Sequence, residues 1–291
     1  MSWVYRQIRE EILVKESIKL DEYKQQIADI YSSRSSHYDN GEWHPRIAHR
    51  LVELAQLQTG KQVLDLATGT GLVAIEAARI VGAEGRVIGI DISTGMVDVA
   101  RQKAQELGLQ NINFQLADAE ALNFPADTFD YIFCSSALIW MSDLLGALRH
   151  WHQLLKPGGK IAFHAFAETA FLGGVMTQQV LATYNVSLLL NLPTGTVKKC
   201  HNLLQQAGFE AIEIESVPDG NWISLERAKE MWAGNSSFPA PGQHPHPAFQ
   251  ITAAQLAQAR VEFDAALEKL QTDRGIWDDG TIFYTFGRKP A

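Results

Sequence analysis

Apolar residues recur at helical spacings over residues 3–31, where Ile8, Ile12, Ile18, Tyr23, Ile27 and Ile30 predict a helix. The polar stretch Ser32-Ser33-Arg34-Ser35-Ser36 breaks that pattern. A second helix is expected over 46–58, with Ile47, Leu51 and Leu54 on one face. The rhythm changes at residue 61. Short apolar runs at 63–66, 87–90, 112–116, 131–134 and 161–166 read as strands, and helical patterns over 72–80, 94–107 and 143–155 separate most of them. Beyond residue 167, helices are expected over 175–190 and 196–207, a sixth strand over 210–217 and a last one over 281–286. Two further helical stretches lie near 224–233 and 252–272.

Strands separated by helices predict parallel βαβ units with helices on both faces. The near-continuous apolar character of several strands suits a sheet buried on both sides. The expected fold is α/β: a doubly wound, mostly parallel seven-stranded sheet with an N-terminal helical cap and a helical insertion before the last strand. The expected divisions are the cap over 1–45, the α/β core over 46–217, the insertion over 218–280 on the substrate side, and the final strand over 281–291.

Composition narrows the function classes. The 291 residues are 46% hydrophobic and 20% charged, as in an ordinary globular protein with a sizeable core. Lys and Arg number 25 against 33 Asp and Glu, a net charge of −8. That balance argues against nucleic-acid binding, which needs a basic face to neutralise phosphates. No apolar run approaches the roughly 18 residues of a membrane span. The first twenty residues mix Arg, Glu and Lys among apolar positions, unlike a signal or transit peptide. Cys134 and Cys200 make neither a disulfide framework nor a Cys-based zinc site, so a reducing cytoplasm is expected. The Pro-rich stretch from Phe238 to Pro247 carries His244 and His246 without a further ligand cluster beside them. It reads as a stiffened surface loop, and no metal is expected.

The sharpest chemical signal is Asp65-Leu66-Ala67-Thr68-Gly69-Thr70-Gly71, placed where a strand becomes a helix. Glycines there let a ligand approach the backbone, and the helix N-terminus offers free N–H donors. Gly69-Thr70-Gly71-Leu72-Val73-Ala74 also fits the dinucleotide pattern G-x-G-x-x-A, with an acid, Asp91, about 20 residues on. The motif alone therefore fits two cofactors. Charge helps to separate them. NAD lays an anionic pyrophosphate on this turn, and a carboxylate just ahead of the glycines does not suit it. S-adenosylmethionine brings an ammonium, a sulfonium and one carboxylate, and Asp65 is compatible with that mixture.

These residues resemble the class I S-adenosylmethionine-dependent methyltransferases, in particular the ubiquinone/menaquinone-biosynthesis-like small-molecule branch (methyltransferase type 11). The resemblance covers about residues 30–166. Residues 63–71 resemble the glycine motif, 89–96 the second-strand motif, 115–120 the third-strand motif, 129–136 the fourth strand and 154–160 the turn before the fifth. The resemblance implies that Asp65, Ala67, Thr68, Gly69 and Gly71 shape the cofactor turn and that Asp91 holds the ribose hydroxyls. Ile92 and Met96 would pack on the adenine, Asp118 would accept its amino group, and the Ala119 N–H would meet a ring nitrogen. Ser135 would lie where the fourth strand passes the reactive methyl. Tyr31 and Tyr38 resemble the N-terminal segment that folds over the cofactor; the bland reading is that both pack within the cap. Two positions depart from the family pattern. Ala67 stands where many members have glycine, and Ile139 where a histidine is frequent.

Methyl transfer from a sulfonium is an in-line displacement, so the protein must position the nucleophile and exclude water. His37 and His164 are the base candidates, each with a packing role as the alternative. Trp43, Trp140, Phe166, Phe171, Tyr184 and Trp222 suggest an apolar or aromatic small-molecule acceptor, although some of these rings must be core. The expected activity is methyl transfer to such an acceptor. The rivals are an NAD(P)-dependent oxidoreductase and a non-catalytic S-adenosylmethionine-binding protein.

Overall fold

Strand β1 (Gln62–Leu66) sets the architecture, because Val63, Leu64, Asp65 and Leu66 are all buried and the strand is paired on both sides. In the computed structural model, which describes residues 18–234, 240–244 and 246–291, β1 lies between β2 (Arg86–Asp91) and β4 (Phe129–Cys134). β3 (Ile112–Leu116) and β5 (Leu155–Phe166) extend the sheet outward, and all these pairings are parallel. β9 (Ile282–Arg288) inserts antiparallel between β5 and β6 (Glu210–Val217), giving the order β3-β2-β1-β4-β5-β9-β6. This is the expected doubly wound seven-stranded sheet. The chain turns one way from β1 to β3 and the other way through β4 and β5. A crevice therefore opens at the carboxyl ends of β1 and β4, where ligands sit in such sheets.

Helices cover both faces. α1 is Glu22–Arg34, α2 Trp43–Ala55, α3 Leu72–Val81, α4 Thr94–Glu106, α5 Leu144–Leu154, α6 Leu172–Ala182 and α7 Val197–Gln206. Most follow the sequence pattern within a few residues. The serine run does not stop α1 at residue 32, because Ser33 Oγ donates to the Ile30 carbonyl and Ser35 Oγ to that of Ser32, a local pattern compatible with helix. Residues 3–17 of the first expected helix lie outside the described residues.

Three expectations need correction. The helix expected over 175–190 is α6, which ends at Ala182. Asn185 takes φ +60° and Val186 N–H donates back to the Leu181 carbonyl, a terminating closure that asparagine tolerates well. β5 starts at Leu155 rather than 161. Leu155 pairs with Phe129 and Lys160 with Tyr131, so Lys156–Gly159 bulge from the ladder around Pro157. The stretch 218–280 is not only helical. Besides α8 (Leu225–Glu230) and α9 (Ala253–Leu270), it holds the hairpin β7 (Gly220–Ile223) and β8 (Ile276–Asp279). Four-residue strands so far apart in sequence leave no legible alternation.

A second apolar cluster forms away from the sheet. Leu181, Phe263 and Leu267 are its fully buried centre, joined by Met176, Val180 and Ala259. It joins α6 to α9, so the segment after β5 and the stretch before β9 are packed as one unit. Among the described residues, no helix is long and apolar enough to cross a membrane.

Candidate active site

The turn between β1 and α3 is held from below. Asp65, 1% exposed, accepts from Thr68 Oγ1 at 2.5 Å and from Ala74 N at 3.1 Å, tying the loop to the first turn of α3. Thr68 N also donates to the Ile90 carbonyl, 2.8 Å away on β2. Burial, aided by Asp91, pushes the Asp65 carboxyl up to about 7. Ala67 adopts φ +48°, the left-handed region in which glycine is at ease and alanine is strained. Gly69, at φ +56°, faces open space. A Cβ built there would meet only Tyr38 Cε1, at 4.0 Å, so its backbone is a cradle for a ligand.

Asp91 closes β2. Its Oδ2 accepts from Gly69 N at 2.8 Å and its Oδ1 from Ser93 N at 2.9 Å, and burial pushes its carboxyl up to about 6. A carboxylate oxygen can accept more than one donor, so both atoms keep capacity for a ligand. Ser93 caps α4 by accepting from Met96 N and also meets Ser32 Oγ at 2.8 Å. That contact seats α1 on α4. Gly95 makes it possible, since a Cβ there would lie 2.9 Å from the Ser32 carbonyl oxygen.

α1 closes the far end. Lys24 Nζ lies 2.6 Å from Asp118 and 2.8 Å from Glu120, and Glu120 also accepts from the backbone of Ser142 and Asp143. Ala119 is fixed by Trp151 Nε1, which donates to its carbonyl at 2.8 Å. Tyr31 sits edge-on to Tyr38 and Trp140, with centroids at 6.1 and 6.3 Å.

Together these elements enclose a two-lobed cavity at the sheet's carboxyl edge. The larger lobe has a volume of about 700 Å³ and the smaller about 350 Å³, and they meet at Tyr38, Ala67, Gly69, Ser135 and Ser136. On the β5 side Trp43 stacks on Phe166 at 5.5 Å, and Phe171 packs 4.8 Å from Phe166.

The sequence profile of a methyltransferase-domain family matches residues 57–208, just over half of the chain. This chain belongs to that family. It is 41% identical over 143 residues to the aklanonic acid methyltransferase DauC of Streptomyces sp. (strain C5), covering 48% of this chain and 65% of that relative. The match to the ubiquinone/menaquinone biosynthesis C-methyltransferase UbiE of Marinomonas sp. (strain MWYL1) is 34% identical over 179 residues, 59% of this chain and 70% of the relative. The chain thus spans about two thirds of the length of these curated relatives. Among solved structures, YcgJ from Bacillus subtilis superposes with a TM-score of 0.57 at 21% identity, over 85% of this chain and 100% of that one, which shows a shared fold. Membership brings the cofactor with it: S-adenosylmethionine.

Within this methyltransferase, the residues expected around the cofactor converge with one exception. Tyr31, Tyr38, Ala67, Gly69, Asp91, Ile92, Met96, Asp118, Ala119 and Ser135 line the larger lobe, and Asp65 and Thr68 the smaller. Gly71 lines neither. It takes φ +85° at the start of α3, and a Cβ there would press on Phe114, Ala100 and Ile75 at 3.0–3.2 Å, so its need for glycine comes from turn and packing. His37 also lines neither lobe; its exposed ring meets Ser36 Oγ at 2.7 Å. His164 is 2% exposed and burial holds its pKa down to about 3, so the ring stays neutral and stores no proton. The loop histidines serve locally, His244 near Glu22 at 3.4 Å and His246 accepting from Ala248 N, while Phe238, Pro239 and Pro245 lie outside the described residues.

Several lining residues escaped the sequence reading. Lys24 and Glu120 are ordinary surface charges by pattern, and only folding brings α1 onto the third-strand motif. Ser136, at φ +60°, closes the fourth-strand motif without being singled out by it, and His44, its ring tilted 4.2 Å from Tyr38, carries no motif.

Proposed function

We propose that this methyltransferase transfers the methyl group of S-adenosylmethionine to a small, largely apolar or aromatic acceptor. The charge of the cavity supports the reading. Asp65 and Asp91 flank the glycine turn, and the one lysine or arginine among the described lining residues, Lys24, is tied to Asp118 and Glu120 at the far end. A dinucleotide's diphosphate on this turn would lie beside the buried Asp65 carboxyl, with Lys24 engaged at the far end. An ammonium and a sulfonium suit that carboxyl.

The bound cofactor supplies the electrophilic methyl and its own leaving group. In this reading Asp91 takes the ribose hydroxyls, and Ile92 and Met96 form the apolar floor for the base. Asp118 accepts the exocyclic amino group and Ala119 N–H meets a ring nitrogen. The turn at Asp65, Ala67, Thr68 and Gly69 receives the amino-acid tail, Ser135 faces the transferring end, and Tyr31 and Tyr38 exclude water. Residues 1–45 then act as the cap, and the 218–280 stretch contributes to the acceptor side, where Gly242 N donates to Tyr23 Oη of α1 at 2.7 Å. Trp140 and Met141, which line the larger lobe, favour an apolar or aromatic acceptor. So do relatives named for aklanonic acid and for ubiquinone/menaquinone biosynthesis.

Calorimetry with S-adenosylhomocysteine and with NAD tests the cofactor, and transfer of labelled methyl to phenols, quinols, aromatic carboxylic acids and amines tests the acceptor. The expected result is homocysteine-product binding without NAD binding, and label on an aromatic acceptor. Tight NAD binding, or label only on polar aliphatic amines, would overturn the proposal.

A further inference from the structure

We propose that Ser136, held by His164, is the hydrogen-bond donor that anchors an oxygen atom of the methyl acceptor. This rests on the methyltransferase reading and adds the class of acceptor: one presenting a phenolate, enolate or carboxylate oxygen beside the atom to be methylated.

Position comes first. Ser136 lies two residues beyond the end of β4 and lines both lobes where they join. Its backbone sits at φ +60°, a region costly for a residue with a Cβ, and strain of this kind concentrates at functional sites. Its Oγ is 2.9 Å from His164 Nε2, and among the described residues it has no other hydrogen-bond partner.

The histidine then decides which way the proton points. His164 stands on β5, paired across the ladder with Tyr284, and its ring packs against Phe166 at 5.2 Å and Tyr284 at 6.2 Å. Its Nδ1 is buried and has no partner among the described residues. A proton on Nδ1 would leave a buried N–H donor unpaired, a rarer and costlier defect than an unpaired acceptor. The neutral ring therefore carries its proton on Nε2 and donates to Ser136 Oγ. The serine O–H is left to donate elsewhere, and the cavity is the space it lines.

Such a pair does not act as a base. Burial keeps His164 neutral, and the nearest charged-capable neighbour acting on it, His44, disfavours its protonated form further. What it offers is a directed donor at the junction of the two lobes. A donor there holds an acceptor oxygen that carries or develops negative charge, which is a charge-assisted bond. Ser136 is thus the specificity-determining residue, and His164 its positioning residue.

The test uses the full chain saturated with S-adenosylhomocysteine. With ¹⁵N-labelled histidine, long-range ¹⁵N–¹H spectra should show His164, assigned by its loss in His164→Gln, as the Nε2–H tautomer with no titration between about pH 5 and 8. An Nδ1–H tautomer, or a ring that titrates in that range, overturns the anchor. Ser136→Gly relieves the backbone strain but removes the hydroxyl and with it the partner of His164 Nε2; it should still fold, with a stability loss of no more than about one lost hydrogen bond, and bind S-adenosylhomocysteine within about twofold of wild type. Its KM for an oxygen-bearing aromatic acceptor should rise by about tenfold or more, as for loss of a hydrogen bond to a charged group. An unchanged KM overturns the anchor. Loss of S-adenosylhomocysteine binding in Ser136→Gly overturns it too, by assigning the serine to the cofactor. Failure of the wild-type protein to bind S-adenosylhomocysteine overturns the methyltransferase reading instead.

Discussion

Asp65→Asn isolates the electrostatics of the cofactor turn. The wild-type carboxyl is fully buried beneath the loop, and its pKa rises from the ordinary 3.8 to about 7. The sign follows from proton counting. Between these two values the folded protein holds a proton at Asp65 that the unfolded chain has released. Stability therefore rises as the pH falls, by about 1.4 kcal/mol per pH unit. Above about pH 7 the proton is gone from both states and the burial of the charge is felt in full. Asparagine keeps an oxygen that can accept from Thr68 or Ala74 but has nothing to titrate. Whatever stability the variant has relative to wild type at pH 8, that difference should move in favour of wild type by about 3 kcal/mol on going to pH 5. Urea unfolding of both proteins at pH 8, 7, 6 and 5, without cofactor, gives the numbers. Using the difference between the two proteins cancels the titrations they share, apart from the part of Asp91's that responds to the Asp65 charge. A difference that stays constant over the window refutes the reasoning, because it would mean that Asp65 is ionised in the folded protein throughout.

Asp91, pushed up to about 6, gives the ligand-side counterpart: S-adenosylhomocysteine affinity should weaken between pH 7.5 and 5, as measured by calorimetry, because the proton competes with the ribose hydroxyls for its oxygens. Asp91→Ala should weaken that affinity at pH 7.5 by about 1.5–3 kcal/mol and flatten its pH dependence. Gly69→Val should fold yet lose cofactor binding, since its side chain would project into the open space above the turn from a backbone at φ +56° that suits β-branched residues badly. Gly95→Val should leave the sheet intact but undock α1, because its Cβ would lie within 3.0 Å of Ser32 backbone atoms; faster amide exchange confined to α1, with faster release of S-adenosylhomocysteine, is the expected pattern.

The parts of this molecule legible in its sequence are those fixed by local rules. β1, α3, β2 and α4 announce themselves because apolar strands, a glycine turn and a cap such as Ser93 follow one another within a few residues. Most of the expected cofactor-side residues come with them, since they lie at or just beyond the end of a strand that its apolar run already marks. Where one residue serves two rules, the sequence misleads: Gly71 looks like a ligand-facing glycine and is a packing one. His37 misleads for a different reason, because the polar run that places it near the cap does not say which way a short helical turn faces.

What stayed hidden depends on contacts between distant segments. Lys24 meets Asp118 across 94 positions of chain, and nothing in an exposed helical pattern foretells which lysine will be turned inward. Among the described residues, no strand ladder holds the cap to the core. Its seat includes three dissimilar contacts: the Lys24 ion pairs, the Ser32–Ser93 hydroxyl contact and the Gly242 bond to Tyr23. Each touches a different element: the third-strand motif, the N-terminus of α4, and the stretch before β9. On the proposed reading, the first two elements border the nucleoside end of the cavity and the third the acceptor side. Loosening α1 therefore opens both ends at once, and a ligand that fills either end works against that loosening. On that reading the cap would be a physical link through which cofactor and acceptor favour each other's binding, with no contact needed between them beyond the methyl itself.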